Sequence, residues 1–140
     1  MKKVLALDLG TKRIGIALSD SLRFLASGKE SYITKSPKED MQYILKTIQE
    51  NDVDTVVIGL PINMNGTEGE KAALSRQFAE DLKNISPLLN IVLFDERLTT
   101  SAANRYLLEA DLSRKKRKQV IDKLAATIIL QNYLDSKSNK

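Results

Sequence analysis

The stretch Val4-Leu5-Ala6-Leu7-Asp8-Leu9-Gly10-Thr11-Lys12-Arg13-Ile14-Gly15-Ile16-Ala17-Leu18-Ser19 decides the architecture. Its opening run is apolar apart from Asp8, the composition of a central strand covered on both faces. Its second half sets Ile14, Ile16 and Leu18 against Gly15 and Ala17, an alternation of period two that marks another strand. Only Gly10-Thr11-Lys12 separates the two, and so short a link returns the chain antiparallel, because a parallel partner needs a long crossover.

Working outward, Leu22 to Thr34 is expected to hold a third strand, bent near Gly28, which completes an antiparallel meander. Ser36 then caps a helix with Pro37 at its first position and Glu39 in its first turn. Met41, Ile44, Leu45 and Ile48 form its apolar stripe. Thr55 to Gly59 is a β-branched run suited to a strand buried on both faces. The segment Leu60 to Gly69, rich in Pro, Asn and Gly, is expected to be irregular and open to movement. A helix follows over about 70–85 with Ala73, Leu74, Phe78 and Leu82 facing inward, then a last strand over Ile91 to Phe94. Thr99 or Thr100 caps a further helix to about Ala110, a basic loop comes next, and a final helix covers about 119–134. The expected fold class is α/β, a mixed five-stranded sheet (three-strand antiparallel meander, then parallel strands) flanked by helices on both faces. Residues 1–135 are expected to form a single domain and 136–140 a polar C-terminal tail.

Composition narrows the chemistry. The 140 residues contain no Cys and no His, which excludes disulfides, thiolate or imidazole metal sites, Cys nucleophiles and His general bases. Any catalyst here works with carboxylates, hydroxyls, Lys, Arg or an oxygen-bound metal. Although Met-Lys-Lys followed by Val4 to Leu9 resembles a signal peptide, Asp8 interrupts the apolar stretch and no small-residue cleavage site follows. No apolar run approaches the ~20 residues of a membrane span. The expected location is cytoplasmic, without membrane association. The net charge of +4 is mild, but Arg114, Lys115, Lys116, Arg117 and Lys118 are five consecutive cations. They read equally as a solvated loop or as a surface that attracts phosphate backbone.

Three carboxylates stand out. Strand alternation puts Asp8 with Val4 and Ala6 on one face, where a charge needs a partner, a hydrogen bond or a metal; a turn-forming role near Gly10 is the plain alternative. Glu96 shares a side with Val92 and Phe94, with Asp95 on the other, and the plain alternative is a surface ion pair with Arg97. Asp122 lies at the edge of the apolar arc Ile121, Leu124, Ala125, Ile128 and Ile129, and could simply serve a helix N-terminal turn. Two strand ends and a covering helix can bring all three to one point. Like charges so placed repel, and a divalent cation removes the conflict. Oxygen-only ligands suit Mg²⁺ or Mn²⁺, and a pair of such ions about 4 Å apart can cleave a phosphodiester.

The sequence resembles the YqgF/RuvX family, RNase H-superfamily relatives of the RuvC Holliday-junction resolvase. The matching segments are Leu7 to Ala17 with Ser19-Asp20, Gly59-Leu60-Pro61 with Met64 to Gly69, Asp95 to Thr100, and Asp122 to Ala126, in order along the chain. The resemblance implies an RNase H-like nuclease fold with Asp8, Glu96 and Asp122 as catalytic, metal-binding residues. It also implies processing of the 5′ end of pre-16S rRNA during ribosome biogenesis. The expected partners are pre-rRNA or branched DNA, with the assembling small ribosomal subunit, and the chain is expected to be a monomer or weak homodimer.

Nucleic-acid contacts are expected from Lys12, Arg13, Asn65, Arg97 and the run Arg114 to Lys118. Lys12 and Arg13 equally suit a solvated hairpin, Arg97 either orients a phosphate or supports Glu96, and Thr99 and Thr100 are helix caps. With three Phe, four Tyr and no Trp, backbone and shape recognition are expected over base reading. Three rivals stay open. A resolvase acting on four-way DNA would use the same chemistry, and a non-catalytic nucleic-acid-binding factor would keep the carboxylates without using them. Asp8-Leu9-Gly10-Thr11 also resembles the phosphate loop of actin- or hexokinase-type ATPases, which close two such domains around ATP.

Overall fold

The computed structural model describes residues 2–97 and 114–138, the latter with side chains over 124–137. Lys3–Leu9 forms β1 and Arg13–Ser19 forms β2, paired antiparallel with Leu5 opposite Leu18 and Asp8 opposite Gly15. The turn closes through a hydrogen bond from the Gly10 N–H to the Arg13 carbonyl at 2.8 Å. β3 (Ala26–Ile33) completes the meander against β2. Its irregularity falls between the pairs Ile14–Tyr32 and Ile16–Lys29, where Glu30 and Ser31 together face Gly15, one residue more than β2 supplies; Gly28 pairs regularly with Ala17 and is not the bend expected of it.

α1 (Pro37–Glu50) starts as its sequence demands, with the Ser36 hydroxyl accepting the Glu39 N–H at 3.2 Å. β4 (Val53–Leu60) lies parallel to β1, α2 spans Glu70–Ile85, β5 (Asn90–Asp95) lies parallel to β4, and α3 spans Arg114–Ser138. The sheet order is β3-β2-β1-β4-β5, the mixed arrangement expected, with β1 in the middle.

Alternation along β1 feeds two cores. Leu5 and Leu7 pack with Ile16, Ile44 and Ile48 of α1 and Leu82 of α2 on one face. Val4 and Ala6 pack with Ala17, Val57 and the α3 residues Ala126, Ile129, Leu130 and Tyr133 on the other. Leu5, Leu7, Ile129 and Leu130 are fully buried, so truncating any one to Ala costs about 2–5 kcal/mol. Asp8, next in the Val4–Ala6 series, therefore belongs to the α3 face.

Three expectations need correction. α2 buries Ala72, Ser75, Ala79 and Leu82, with Phe78 partly buried, whereas Ala73 is exposed and Leu74 is 55% exposed. Small residues at 72, 75 and 79 let the helix backbone approach the sheet, and that proximity fixes its phase. The cationic run does not form a loop: α3 already begins at Arg114, in keeping with the good helix propensity of Lys and Arg. The same helix runs on through 136–138, with the Ser136 hydroxyl donating to the Tyr133 carbonyl at 2.7 Å. The helix expected over 99–110 lies outside the described residues. Among those described, no helix is long and apolar enough to cross a membrane.

The segment after β4 is fastened at many points. Ile62 pairs with Glu68, the Asn63 N–H donates to the Thr67 carbonyl, and the Gly66 N–H donates to the Asn63 carbonyl. Gly66 takes φ of 88°, the left-handed region that a side chain would disfavour. Glu68 accepts two hydrogen bonds from Arg76 at 2.7 Å, tying the turn to α2.

Candidate active site

Because β1 and β5 both run parallel to β4, their C-terminal ends emerge at one edge of the sheet with Gly59 and Leu60 between them. Asp8 sits half-buried at the end of β1. Glu96 follows β5 directly, and its N–H donates to the Leu60 carbonyl at 3.1 Å, which extends the parallel ladder by one step. Its side chain turns inward and the residue is only 8% exposed.

Gly59 makes that burial possible. A Cβ placed on it would meet Cδ of Glu96 at 2.7 Å, Cδ1 of Ile129 at 2.8 Å and Oε1 of Glu96 at 2.9 Å. The Glu96 carboxyl therefore lies over the bare β4 backbone, beside Ile129 of α3, and in hydrogen-bonding contact with Asp8. Its pKa is pushed up to about 9, first by burial, then by the negative charge of Asp8 and the hydrogen bond to it. In the absence of a cation Glu96 keeps its proton at neutral pH and donates it to Asp8. The Gly10 N–H goes to the Arg13 carbonyl and not to Asp8.

Arg97 does not serve Glu96. Its guanidinium forks onto Asp95 at 2.7 and 2.9 Å, and the Arg97 N–H also donates to that carboxylate. Hydrogen bonding to Arg97 holds the Asp95 carboxyl below the usual range. Lys71, which sequence reasoning missed, lies in the first turn of α2, and its charge favours ionised Glu96 against the larger opposing effects. A single Lys after Gly69-Glu70 gave no signal beyond that of a solvated helix start.

The other candidates stand on several different elements. Lys12 is exposed in the hairpin turn and Arg13 is partly buried at the start of β2, both within a few residues of Asp8. Asn65 stands in the fastened turn, where its Oδ1 accepts from the Thr67 N–H at 3.0 Å and the Thr67 hydroxyl at 2.6 Å, so that oxygen holds the turn. Arg114 to Lys118 occupy the first turns of α3, and Asp122 lies in the same helix, seven residues before Ile129. The side chains of these α3 residues lie outside the described set. Among the described residues no three acidic groups are gathered for a metal; the Asp8–Glu96 pair is what the described part of the site contains.

A family model described as "RuvX: Holliday junction resolvase" matches residues 2–136. The chain belongs to the RuvX family. A relative from Bacillus thuringiensis, named "Putative pre-16S rRNA nuclease", is 47% identical over 137 residues, covering 96% of this chain and 99% of the relative. Proteins of Bacillus cereus and Bacillus anthracis with the same name match to the same extent. Membership in a nuclease family makes the protein a hydrolase acting on nucleic acid.

Among solved structures, Thermus thermophilus RuvC in complex with a Holliday junction substrate superposes with a TM-score of 0.54 at 13% identity, over 99% of this chain and 97% of that one. The fowlpox virus Holliday junction resolvase gives 0.56 at 12% identity, over 96% and 99%. At such identities the likeness concerns the fold alone. For this RuvX-family chain it bears out the RNase H-like sheet expected from the sequence.

Proposed function

We propose that this RuvX-family protein is a divalent-metal-dependent nuclease, centred on Asp8, Glu96 and Asp122, that processes the 5′ end of pre-16S rRNA. The observation that carries this reading is the contact between the Asp8 and Glu96 carboxyls at the shared edge of β1 and β5. Two acidic groups pressed together at a buried position destabilise a fold unless something neutralises them. A proton does so in the free protein, and a hard cation fits the oxygen-only donors, Mg²⁺ or Mn²⁺ being the natural choice. Asp122 supports the same centre by register: positions 125, 126 and 129, three, four and seven residues further along α3, are all buried against the sheet.

Mg²⁺ or Mn²⁺ bound there would supply an activated water and charge neutralisation for the leaving oxygen of the phosphodiester. The chain's own residues set the conditions. Glu96 offers both of its oxygens to a cation only once its proton has left. Ile129 and the bare backbone at Gly59 close the inner side of the site to water. Lys71, Lys12 and Arg13 put positive charge along that edge of the sheet, where the backbone of a nucleic acid would pass, and the cationic run Arg114 to Lys118 at the start of α3 would add to it. Arg97, committed to Asp95, contributes a neutralised pair.

The pre-16S substrate rests on the name of the 47% identical relatives, and with it a cytoplasmic site of action on the assembling small ribosomal subunit. Residues 1–135 act as one domain, as a monomer or weak homodimer. A second reading, resolution of four-way DNA junctions, is favoured by the description of the family model. The deciding experiment incubates the purified protein, in Mg²⁺ and in Mn²⁺, with a pre-16S 5′ leader RNA and with a four-way DNA junction. Cleavage of the leader alone supports rRNA processing, and cleavage of the junction alone replaces it with resolution. Failure to cut either substrate sinks the nuclease reading.

A further inference from the structure

We propose that a pocket on the face of the sheet opposite Asp8 receives an unpaired amino-bearing nucleobase of the substrate strand; the proposal deepens the nuclease reading and rests on it. The cavity measures about 420 Å³ and lies between the β1–β2 turn, the start of α1 and the middle of α2. That volume falls at the small end of ligand pockets. Leu9, Ile14, Met41 and Phe78 give it an apolar floor, and Leu74, 55% exposed, stands at its mouth. The exposure of Leu74 is what made the phase of α2 unexpected, and a ring stacked on it would cover that apolar surface.

The polar groups select the occupant. Asp40 and Asp81 both line the cavity against one cation, Lys35, so the lining carries a net negative charge that disfavours a phosphate. The Asp40 carboxylate is engaged by the Lys35 N–H at 2.9 Å and by the side chain of Tyr32. Asp81 accepts from the Gln77 amide at 2.9 Å and, as a carboxylate, has acceptor capacity left. A flat neutral ring carrying an exocyclic amine meets both demands, apolar faces for Leu74 and Phe78 and a donor for Asp81. Adenine, cytosine and guanine carry that amine. Uracil turns a carbonyl oxygen toward the carboxylate instead.

Position identifies the ring as part of the substrate. Leu9 and Gly10, on the pocket wall, follow Asp8 immediately, and two residues of strand advance the chain by about 7 Å. A strand with its scissile phosphate at Asp8 and Glu96 can therefore pass over the hairpin end and place a flanking base in the pocket. Such a base must be unpaired, which directs the enzyme to single-stranded or branched segments.

The test is binding, read without cleavage. A single-stranded leader RNA carrying 2-aminopurine, an amino-bearing fluorescent base, is titrated with the full chain in EDTA, alongside the same RNA with uracil at that position. Leu74→Ser and Asp81→Asn change exposed positions, and Leu88→Ser, at a residue 100% exposed and outside the pocket, is the control. The expected result is a change in 2-aminopurine emission on binding, a Kd raised about tenfold by Leu74→Ser but not by Leu88→Ser, and loss of discrimination against uracil in Asp81→Asn. The tenfold corresponds to about 1.4 kcal/mol, within the range for one stacked base. Wild-type affinities in both pocket variants, or no emission change in wild type, overturn the pocket while leaving cleavage activity to stand. If the binding pattern appears but no metal supports cleavage, the nuclease reading fails and the base pocket survives.

Discussion

The Glu96 carboxyl occupies the volume that a side chain on Gly59 would claim, with Cδ only 2.7 Å from the nearest Cβ position. The glycine thus sets how deeply the acid sinks, and Ile129 of α3, 2.8 Å from the same point, prevents the group from yielding toward the helix. Gly59→Ala should leave the protein folded but less stable by about 1–3 kcal/mol, the usual penalty for overpacking. Displacing Glu96 from Asp8 should lower cleavage on the order of 10²-fold, since small misplacements of a reacting group are that costly. Steady-state kinetics and thermal unfolding check the two effects together. Full activity in the variant would mean that the depth of Glu96 is irrelevant to the chemistry.

The proton shared by Glu96 and Asp8 makes stability depend on pH in a defined direction. The folded chain keeps this proton up to about pH 9, whereas an unfolded Glu releases it near 4.5. Between those values the native state binds more protons than the unfolded one, so this group's contribution weakens as pH rises and levels off above about 9. A cation takes the proton's place and should reverse the trend. Thermal unfolding at several pH values, in EDTA and in excess Mg²⁺, should show a metal-induced shift that grows with pH, with about one proton released per binding event. A shift that is constant across pH would detach Glu96 from the cation site.

Much of this arrangement was legible in the sequence, and the misses have physical causes. The hairpin of β1 and β2 followed from alternation and a three-residue link, and the same alternation put Asp8 and Glu96 on the face that α3 covers. It also contained the partner of Arg97, because residues 95 and 97 lie on one side of an extended chain and residue 96 on the other. Reading the charges by adjacency alone hid that. The phase of α2 was missed because Ala72, Ser75 and Ala79 are buried for their small volume, which hydrophobicity does not reveal. Gly59 and Lys71 gave no signal because their meaning lies in a side chain brought to them from elsewhere in the chain.

Replacing one member of the carboxyl pair separates charge from shape. Asn at position 8 keeps the size of Asp8, and its amide can donate a hydrogen bond to ionised Glu96. Asp8→Asn should therefore abolish Mg²⁺-dependent cleavage while stabilising the metal-free fold at alkaline pH. Each pKa unit by which Glu96 relaxes is worth about 1.4 kcal/mol in that range. The readouts are cleavage of the leader RNA and denaturant unfolding at pH 6 and pH 8.5. Retained cleavage would remove Asp8 from the mechanism, and lower stability at pH 8.5 would contradict the repulsion between the two acids.

The start of α3 offers the last test, because a helix presents consecutive residues differently from a loop. Successive positions turn by about 100°, so the five cations from Arg114 to Lys118 are distributed around the axis, and only part of the run can meet one phosphate backbone. Substituting Gln, a good helix former, at Lys115, Lys116, Arg117 and Lys118 should weaken RNA binding without altering the helix. Removing one cation that neutralises a phosphate should flatten the dependence of log K on log salt by about 0.7 for a single strand. The total change should stay below the value of about 2.8 that four neutralised phosphates would give. Single substitutions should divide into residues that alter the slope and residues that leave it alone. Equal effects from all four would indicate an extended, loop-like engagement of the strand. An unchanged slope would reduce the run to a solvated helix end.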